Sequence, residues 1–271
     1  MVSKKKRYAY YPSEASIISR TDGKTIGKCL RACWYDWKKF EPTNPVDARG
    51  LWTFAMGNAV EDVYIEQIKR LGIWAGDQID FYDLPHNISG RVDAFVYNKE
   101  DNKIEGVEVK SAYGRSFDYA ISKFPKIENL LQVALYADYF KREFDIYNWH
   151  LIYKCRDTQQ ECEYIIGIDK DDIGSFLTVD SVPLKMFYVQ DIHIRYKKLE
   201  EHVIRNQEPP RDYTYAYSLE ESEKRCEVGE ITKSRLSKVK KGEITDSDWQ
   251  CLYCNHLDRC WPEKRANMKL K

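Results

Sequence analysis

Two short stretches decide the fold, Val92-Asp93-Ala94-Phe95-Val96-Tyr97 and Ile104-Glu105-Gly106-Val107-Glu108-Val109-Lys110. Each reads as a β-strand, and the polar residues 98–103 between them form a turn, so we predict a β-hairpin. The expected pairs are Tyr97 with Ile104, Phe95 with Gly106, Ala94 with Val107, Asp93 with Glu108 and Val92 with Val109. This register places Asp93 beside Glu108 on one face and the valines on the other.

Two carboxylates placed opposite each other on a sheet repel, so something must offset their charges. A divalent cation is the natural candidate, because Mg²⁺ is commonly held by one or two carboxylates with waters and phosphates. Lys110 projects to the same face as Glu108 and would orient a water beside the metal. The alternative is a solvated face on which Lys110 only neutralises Glu108.

Glu61 lies in a predicted helix over residues 47–72. Helical spacing places it on the same face as Phe54, Ile65 and Ile68, which we expect to be apolar and buried. A lone carboxylate on such a face is costly unless it is paired or binds a metal. We therefore include Glu61 among the candidate metal ligands.

Gln132 and Tyr136 lie four residues apart on one face of a predicted helix over residues 127–141. The helix otherwise looks buried, so both polar groups need partners. The sheet face that holds Asp93 and Lys110 is the expected place, and bonds to the backbone are the alternative.

The remaining elements predict an α/β (α+β) domain with a mixed central sheet flanked by helices. Two further strands are expected over residues 149–155 and 163–168, and a long amphipathic helix over 183–206. The last fifty residues are short, charged and without an obvious core. We expect a single domain over 1–271 with its catalytic core at 50–170.

Composition narrows the class of protein. The chain has 271 residues, 43 basic and 43 acidic side chains, and eight cysteines. No apolar run approaches the ~18–20 residues of a membrane span, and the basic start at residues 1–7 lacks the apolar stretch of a secretory signal. We therefore expect a cytoplasmic chain with no membrane association, in which cysteines bind metal rather than form disulfides.

Three cysteines near the C-terminus, Cys251, Cys254 and Cys260, have C-x₂-C-x₅-C spacing. This is a ligand set that lacks one member, and Cys29 or Cys33 could supply it. Four thiolates hold either zinc or an iron–sulfur cluster, and the spacing leaves both open.

Four motifs in order resemble the RecB-type branch of the PD-(D/E)xK nuclease superfamily, which includes CRISPR-associated and phage exonucleases. Gly57-Asn58-Ala59-Val60-Glu61 is similar to the first motif, where many relatives have His in place of Glu. Gly90-Arg91-Val92-Asp93 resembles G-x-x-D, and Glu108-Val109-Lys110 resembles E-x-K. Gln132-Val133-Ala134-Leu135-Tyr136 resembles the Q-x-x-x-Y helix signature.

The resemblance implies an αβββαβ restriction-endonuclease-like core and divalent-metal hydrolysis of phosphodiester bonds by Mg²⁺ or Mn²⁺. Asp93 and Glu108 would be metal ligands, joined by the Val109 carbonyl and completed by Glu61. Lys110 would position or activate the water. The helix residues described above, Gln132 and Tyr136, would support the site or contact DNA.

The resemblance also bears on the cysteines. Cys29-Leu30-Arg31, followed by Trp34-Tyr35, is similar to a segment of iron–sulfur RecB-like nucleases. Those proteins place one cysteine before the nuclease motifs and three after them. The resemblance therefore favours Cys29 over Cys33, and a 4Fe–4S cluster over zinc. The cluster-binding segments would be residues 21–40 and 245–262, with Cys29, Cys251, Cys254 and Cys260 as ligands.

The function expected from these features is a metal-dependent deoxyribonuclease, most simply an exonuclease acting on single strands or DNA ends. Basic residues of the 231–241 segment, together with Arg115, Lys123 and Lys126, are candidate phosphate contacts. The alternatives are a non-catalytic nucleic-acid-binding or assembly module of the same fold, and a zinc-stapled endonuclease. Protein partners in replication, recombination or CRISPR adaptation and the oligomeric state stay open.

Overall fold

The computed structural model describes residues 9–122 and 124–263. These residues divide into two compact units, of which the first comprises residues 9–28 and 47–200 and the second residues 29–46 and 201–263. None of the helices in the described part is long and apolar enough to cross a membrane. The single domain over 1–271 stays a prediction.

The strands and helices follow one another in a mixed α/β order. The strands are β1 Ser16–Ile18, β2 Thr25–Gly27, β3 Trp74–Asp83, β4 Ile88–Tyr97, β5 Ile104–Ala112, β6 Asn148–Cys155, β7 Glu161–Lys170, β8 Ser175–Val179 and β9 Val182–Leu184. The helices are α1 Leu30–Trp37, α2 Ala48–Arg70, α3 Arg115–Ser122, α4 Ile127–Phe144, α5 Val189–Ile204, α6 Leu219–Glu227, α7 Lys233–Lys240, α8 Trp249–Leu252 and α9 Leu257–Cys260.

The first unit is built on a seven-stranded mixed sheet in the order β3-β4-β5-β6-β7-β8-β9. The β5–β6 pair is parallel, and the other neighbouring pairs are antiparallel. The parallel pair requires a crossover between β5 and β6, and α3 and α4 supply it. This arrangement confirms the expected mixed sheet flanked by helices.

Helix α2 covers one face of the sheet. Its first turn is capped by Asp47, whose side chain accepts a hydrogen bond from the Gly50 backbone N–H at 2.7 Å. In its second half, Ile65 and Ile68 are buried against valines and alanines of β4 and β5. The helix predicted over 47–72 is therefore confirmed, but Phe54, expected on the buried face, is 59% exposed. Only the later turns of α2 lie against the sheet core.

Helix α4 covers the opposite face of the sheet, where an aromatic cluster forms the core. Phe95 of β4 packs against Phe140 with ring centroids 5.0 Å apart, and Tyr136 stacks on Trp149 of β6 at 5.6 Å. Gly106 pairs with Trp149 across the parallel ladder, and a Cβ atom at Gly106 would clash with that indole. The absence of a side chain at Gly106 therefore makes room for the largest ring of this core.

The predicted hairpin register is confirmed for Tyr97–Ile104, Phe95–Gly106 and Ala94–Val107. The ladder between β4 and β5 ends there, so the expected backbone pairs at Asp93 and Val92 are wrong. The physical reason is that the Asp93 carboxylate itself accepts the Val109 N–H, at 2.8 Å, in place of a strand carbonyl. The side chain thus replaces the ladder at the point where the candidate site begins.

The other predicted elements agree less closely at their ends. Strands β6 and β7 extend the predicted segments, and α4 continues the predicted helix to Phe144. The long helix predicted from Pro183 is wrong at its start, because Pro183 lies in the edge strand β9 and α5 begins at Val189. An edge strand tolerates proline, since the missing N–H faces away from the ladder.

The second unit contains α1 and the helices α6–α9. Its apolar cluster contains Tyr215, Cys251 and Trp261, with Leu257 and Cys260 packed against it. The buried carboxylate of Asp246 forms ion pairs with Arg235 at 3.1 Å and with Arg225 at 3.3 Å. Charge pairing therefore supplements a small apolar core in this unit.

Candidate functional site

Asp93 and Glu108 converge where β4 and β5 separate. Asp93 Oδ2 accepts the backbone N–H of Val109, the residue between Glu108 and Lys110. Glu108 is only 1% exposed, and its Oε2 atom is buried without a hydrogen-bond partner among the described residues. A buried carboxylate oxygen in this state is costly unless a cation or a proton satisfies it.

The electrostatics of this pair follow from its burial. Burial, followed by the negative charge of Glu108, raises the pKa of Asp93 well above its ordinary value. Burial also raises the pKa of Glu108, although the positive charge of Lys110 opposes this effect. The two carboxylates therefore resist being ionised together unless further positive charge joins them.

Lys110 and Gln132 connect the strand to α4. The Lys110 ammonium donates to Glu108 Oε1 and to Gln132 Oε1, the latter at 3.0 Å. Gln132 Nε2 in turn donates to Glu108 Oε1 at 2.7 Å. Burial lowers the pKa of Lys110, but the charges of Glu108 and Asp93 outweigh it, so the pKa is raised and the ammonium is retained.

Tyr136 lies one helical turn beyond Gln132 and completes the network. Gln132 Nε2 donates to the Tyr136 hydroxyl at 2.9 Å, and that hydroxyl donates to the Arg91 carbonyl at 3.2 Å. Burial, followed by the charge of Glu108, raises the pKa of Tyr136 well above its ordinary value. Tyr136 is therefore a neutral hydrogen-bonding group that links α4 to β4. Gln132 bonds the side chains of the sheet face as the sequence predicted, whereas the Tyr136 hydroxyl donates to the backbone, which was the alternative.

Glu61 is half-buried and bonded elsewhere. Its carboxylate accepts a hydrogen bond from Gln78 of β3, while its charge still raises the pKa of Asp93. Asp77 pairs with Ala94 and Ile79 with Val92, which places Gln78 beside Asp93 in the sheet. Gln78 has a positive φ of 51°, an uncommon backbone conformation for this residue type. Sequence reasoning missed Gln78, and no motif marks it.

The described residues contain no group of three or more His, Cys, Asp or Glu side chains arranged to hold a metal ion. The donor set at Asp93 and Glu108 nevertheless fits a hard cation, since both groups offer oxygen atoms and Glu108 Oε2 is buried without a partner. Mg²⁺ is commonly bound by one or two carboxylates with waters and substrate phosphates. Asp93 and Glu108 are therefore the residues that would hold such a cation, with the Val109 carbonyl as the further oxygen that the sequence resemblance implies.

The two motif glycines differ in what the structure requires of them. A Cβ atom at Gly90 would approach Phe81 and Pro12 to within 2.7 and 2.9 Å, so that position has no room for a side chain. A Cβ atom at Gly57 would lie 3.5 Å from Ser111 Oγ, which is an ordinary contact. Packing therefore explains Gly90 but not Gly57.

Four cysteines of the second unit line one small pocket. They are Cys29, Cys251, Cys254 and Cys260. Aromatic rings of Tyr35, Tyr213 and Trp261 and the side chains of Arg31 and Arg211 complete its wall. The pocket thus brings together residues far apart in sequence, as the predicted ligand set requires.

Two thiols of this pocket, those of Cys29 and Cys251, have raised pKa values that favour the neutral form. Burial, followed by the charge of Asp212, raises the pKa of Cys29 to about 11. Burial and the neighbouring cysteines, Cys29 first, raise the pKa of Cys251 further. Ligation requires thiolates, so a group held here would have to bring the positive charge that ionises them. The four thiols are not arranged as a site for a single metal ion.

The remaining cysteines lie outside this pocket lining. Cys33 is buried on α1, where its backbone N–H donates to the Cys29 carbonyl at 3.1 Å. Cys155 donates its thiol to Asp157 at 2.6 Å. Cys162 and Cys226 are half-buried and form no disulfide with the described residues. The position of Cys29 in the pocket agrees with its choice over Cys33, which stays a prediction as a ligand assignment.

The basic residues expected to contact DNA are partly engaged within the protein. On α7, Arg235 pairs with Asp246 at 3.1 Å and Lys240 with Glu223 at 2.7 Å. In the crossover between β5 and β6, Lys126 donates its ammonium to Ser116 at 2.7 Å, and Arg115 begins α3. Lys123 lies outside the described residues. Acidic neighbours thus reduce the positive charge that the 231–241 segment presents.

Comparison with known proteins adds little. No family model matches the chain, and no curated protein matches it. A solved structure titled "Crystal structure of SSO0001" is similar, with a TM-score of 0.44 and 15% identity over 93% of this chain and 85% of that chain. A likeness of this degree does not indicate a function. The function is therefore inferred from the chemistry of the Asp93–Glu108–Lys110 cluster and of the four-cysteine pocket.

Proposed function

We propose that this chain is a divalent-metal-dependent deoxyribonuclease with a PD-(D/E)xK core, acting as an exonuclease on single strands or DNA ends. One observation carries the proposal. The buried Glu108 Oε2 atom has no partner among the described residues, while Asp93 and Lys110 lie beside it in the same cluster. That combination favours a bound cation over a purely structural ion pair.

The residues that would hold the cation are Asp93, Glu108 and the Val109 carbonyl. A bound Mg²⁺ or Mn²⁺ supplies polarisation of the scissile phosphate and a lower pKa for a coordinated water. Glu61 would act through its charge and through Gln78, since its carboxylate is bonded to that amide. The donor set is all oxygen, which suits these hard cations.

Lys110 would orient the attacking water rather than take its proton. Its pKa is raised by Glu108 and Asp93 against the effect of burial, so it stays an ammonium with three N–H donors. Two donors are used on Glu108 and Gln132. The third is available for a water or a phosphate oxygen, where its positive charge also stabilises the developing negative charge.

Gln132 and Tyr136 would be positioning residues. Gln132 accepts from Lys110 and donates to Glu108, which fixes the rotamers of both groups. Tyr136 holds the Gln132 amide and the Arg91 carbonyl together. This outer shell orients the groups that would contact the substrate, as such shells do in metal sites.

The test is digestion of end-labelled linear DNA and of circular DNA, each single- and double-stranded, with Mg²⁺ or Mn²⁺. We expect shortening of linear strands from an end and intact circles, and no cleavage by Asp93→Ala. A matched control is Asp101→Ala, since Asp101 is an exposed carboxylate in the turn of the same hairpin. Intact DNA under every condition contradicts the proposal and favours a non-catalytic DNA-binding module.

We also propose that Cys29, Cys251, Cys254 and Cys260 hold a 4Fe–4S cluster that stabilises the second unit. Protein purified without oxygen should contain four iron and four sulfide ions per chain. Cys251→Ser should lose them, whereas Cys226→Ser should retain them because Cys226 does not line the pocket. One zinc ion per chain would contradict the iron–sulfur assignment alone and leave the nuclease proposal standing.

A further inference from the structure

Most of α2 contributes little to the core. None of residues 48–64, all of which the structure describes, is fully buried, and only Val60 and Tyr64 among them pack partly against the core. Such a stretch is only marginally stable in water by itself, because helical stability in proteins comes mainly from packing an apolar face. This part of α2 is nevertheless rich in large apolar side chains.

Those apolar side chains form a regular stripe. Trp52, Met56, Ala59 and Val63 follow one another at intervals of four, three and four residues, the spacing of a helix–helix seam. Trp52 is 70% exposed, Met56 45% and Val63 59%, and Ala59 is also exposed. The stripe is thus continuous over three turns and is open to a partner.

A basic residue lies one helical step before the apolar stripe, and an acidic residue lies one step after it. Arg49 precedes Trp52 by three residues, and Glu66 follows Val63 by three. Arg49 is exposed, and its side chain forms no ion pair with the described residues. Glu66 contacts Lys69 at 3.2 Å, but Lys69 also contacts Asp77 at 3.1 Å, so Glu66 shares its cation.

We propose that α2 docks against α2 of a second copy of this chain in antiparallel orientation. The register that superposes the two stripes pairs Trp52 with Val63 of the second copy and Met56 with Ala59 of the second copy. Each pair then combines a larger with a smaller side chain, which lets the helices interdigitate. This inference is independent of the nuclease proposal.

Charge complementarity selects the antiparallel orientation. In this register, Arg49 of each chain faces Glu66 of the other, so the interface has two ion pairs. A parallel arrangement would place Arg49 on Arg49 and Glu66 on Glu66, which repel. One helical stripe is a small contact area, so we expect a reversible dimer rather than an obligate one.

The experiment measures molar mass by sedimentation equilibrium over a range of concentrations of the full chain. We expect a monomer–dimer equilibrium that Trp52→Glu weakens by at least ~10-fold. The matched control is Ile173→Glu, which places the same charge at another exposed apolar residue and should leave the dimer unchanged. Circular dichroism of each variant verifies that the helical content is kept.

Charge reversal tests the orientation. Arg49→Glu and Glu66→Arg should each lose self-association, because both ion pairs become repulsive. An equimolar mixture of the two variants should recover dimers, since every facing pair is then of opposite sign. A monomer at all concentrations overturns the inference, as does a dimer insensitive to Trp52→Glu or a mixture that fails to pair. A monomer whose DNA binding needs Trp52 would assign the stripe to nucleic acid instead.

Discussion

Two glutamates of the same strand, Glu105 and Glu108, are both buried, yet the pKa of Glu105 is lowered and that of Glu108 is raised. They are 7% and 1% exposed, and their odd separation along β5 sends them to opposite faces of the sheet. Glu105 lies on the face covered by α2, and Glu108 on the face covered by α4. The difference between them separates a structural carboxylate from one suited to bind a ligand.

Glu105 is fully provided with donors. Its Oε1 accepts from Asn148 and Asn98 at 3.0 and 3.2 Å, and its Oε2 contacts His150 at 2.7 Å. The other imidazole nitrogen of His150 contacts Glu163 at 2.6 Å. Burial raises the pKa of Glu105, but these hydrogen bonds outweigh it, so the pKa is lowered. The protein itself stabilises this charge.

Glu108 differs because its Oε2 atom has no donor among the described residues, and its pKa is raised. Lys110 and Gln132 satisfy only the other oxygen. A buried carboxylate oxygen that lacks a hydrogen-bond donor in the protein is a position where a bound ligand, such as a cation, can supply the missing partner. Substitutions at the two glutamates and at their partners test this contrast.

Glu108→Gln should abolish the proposed metal-dependent cleavage, with a loss of more than ~100-fold in kcat/KM, because a ligand contributes more than the shell around it. The thermal midpoint should change little, because removing a buried charge with an unsatisfied oxygen offsets the loss of its ion pair with Lys110. Kinetics and calorimetry on the same preparation check both. A variant that keeps full activity contradicts a metal role for Glu108.

Glu105→Gln should show the reverse pattern. It leaves His150 with one carboxylate instead of two and should cost about 2 kcal/mol of unfolding free energy, the range for hydrogen bonds to charged groups. Activity at a temperature where the variant is folded should stay unchanged. Urea titration gives the free energy, and a selective loss of activity would show that the contrast between the two glutamates is wrong.

The His150 cluster should also make stability depend on pH. Burial lowers the pKa of His150, but hydrogen bonds to Glu163 and Glu105 outweigh this effect, so the pKa is raised. The contribution of the imidazolium is therefore full below about pH 6.5 and is lost as pH rises through the raised pKa. Glu105 and Glu163 have lowered pKa values, so their contribution is present above about pH 4.5 and lost in acid.

The measurement is the difference in thermal midpoint between the natural chain and His150→Gln from pH 4 to 9. We expect the largest difference between about pH 4.5 and 6.5, with a decline on both sides. A difference that does not change with pH would mean that His150 is not charged in the folded protein.

Tyr136→Phe should have the smallest effect. It removes the hydroxyl that accepts from Gln132 and donates to the Arg91 carbonyl, a loss of about 1 kcal/mol in unfolding free energy. We expect kcat to fall by about 10-fold with little change in KM, because Tyr136 contacts neither proposed metal ligand and positions only Gln132 and the Arg91 carbonyl. Loss of activity as complete as that of Glu108→Gln would place Tyr136 in contact with the substrate.

Much of the fold was predictable because it depends on local pattern. Alternation in β4 and β5 predicted the hairpin and three of its pairs, and helical spacing predicted α2 and α4. The same periodicities placed Lys110 beside Glu108 and turned Gln132 and Tyr136 toward them. The roles of these residues in catalysis stay predictions.

Other features were not predictable. Phe54 is exposed because amphipathic spacing says which residues share a helix face but not how far that face is covered. The helix start at Pro183 was wrong for another reason, since Pro183 pairs with Thr178 of β8, a contact that local spacing does not show. Gln78 lies beside Asp93 because β3 pairs with β4, and no sequence motif in β3 indicates this pairing.

The sequence by itself determined the candidate acid pair and its lysine, since side-chain alternation along one strand needs no knowledge of distant contacts. Only the tertiary structure decided which buried glutamate is satisfied. The donors of Glu105 come from Asn98, Asn148 and His150, and the latter two reach it through the parallel pairing of β5 with β6. Long-range pairing sets the partners of a buried charge, and its partners set its pKa.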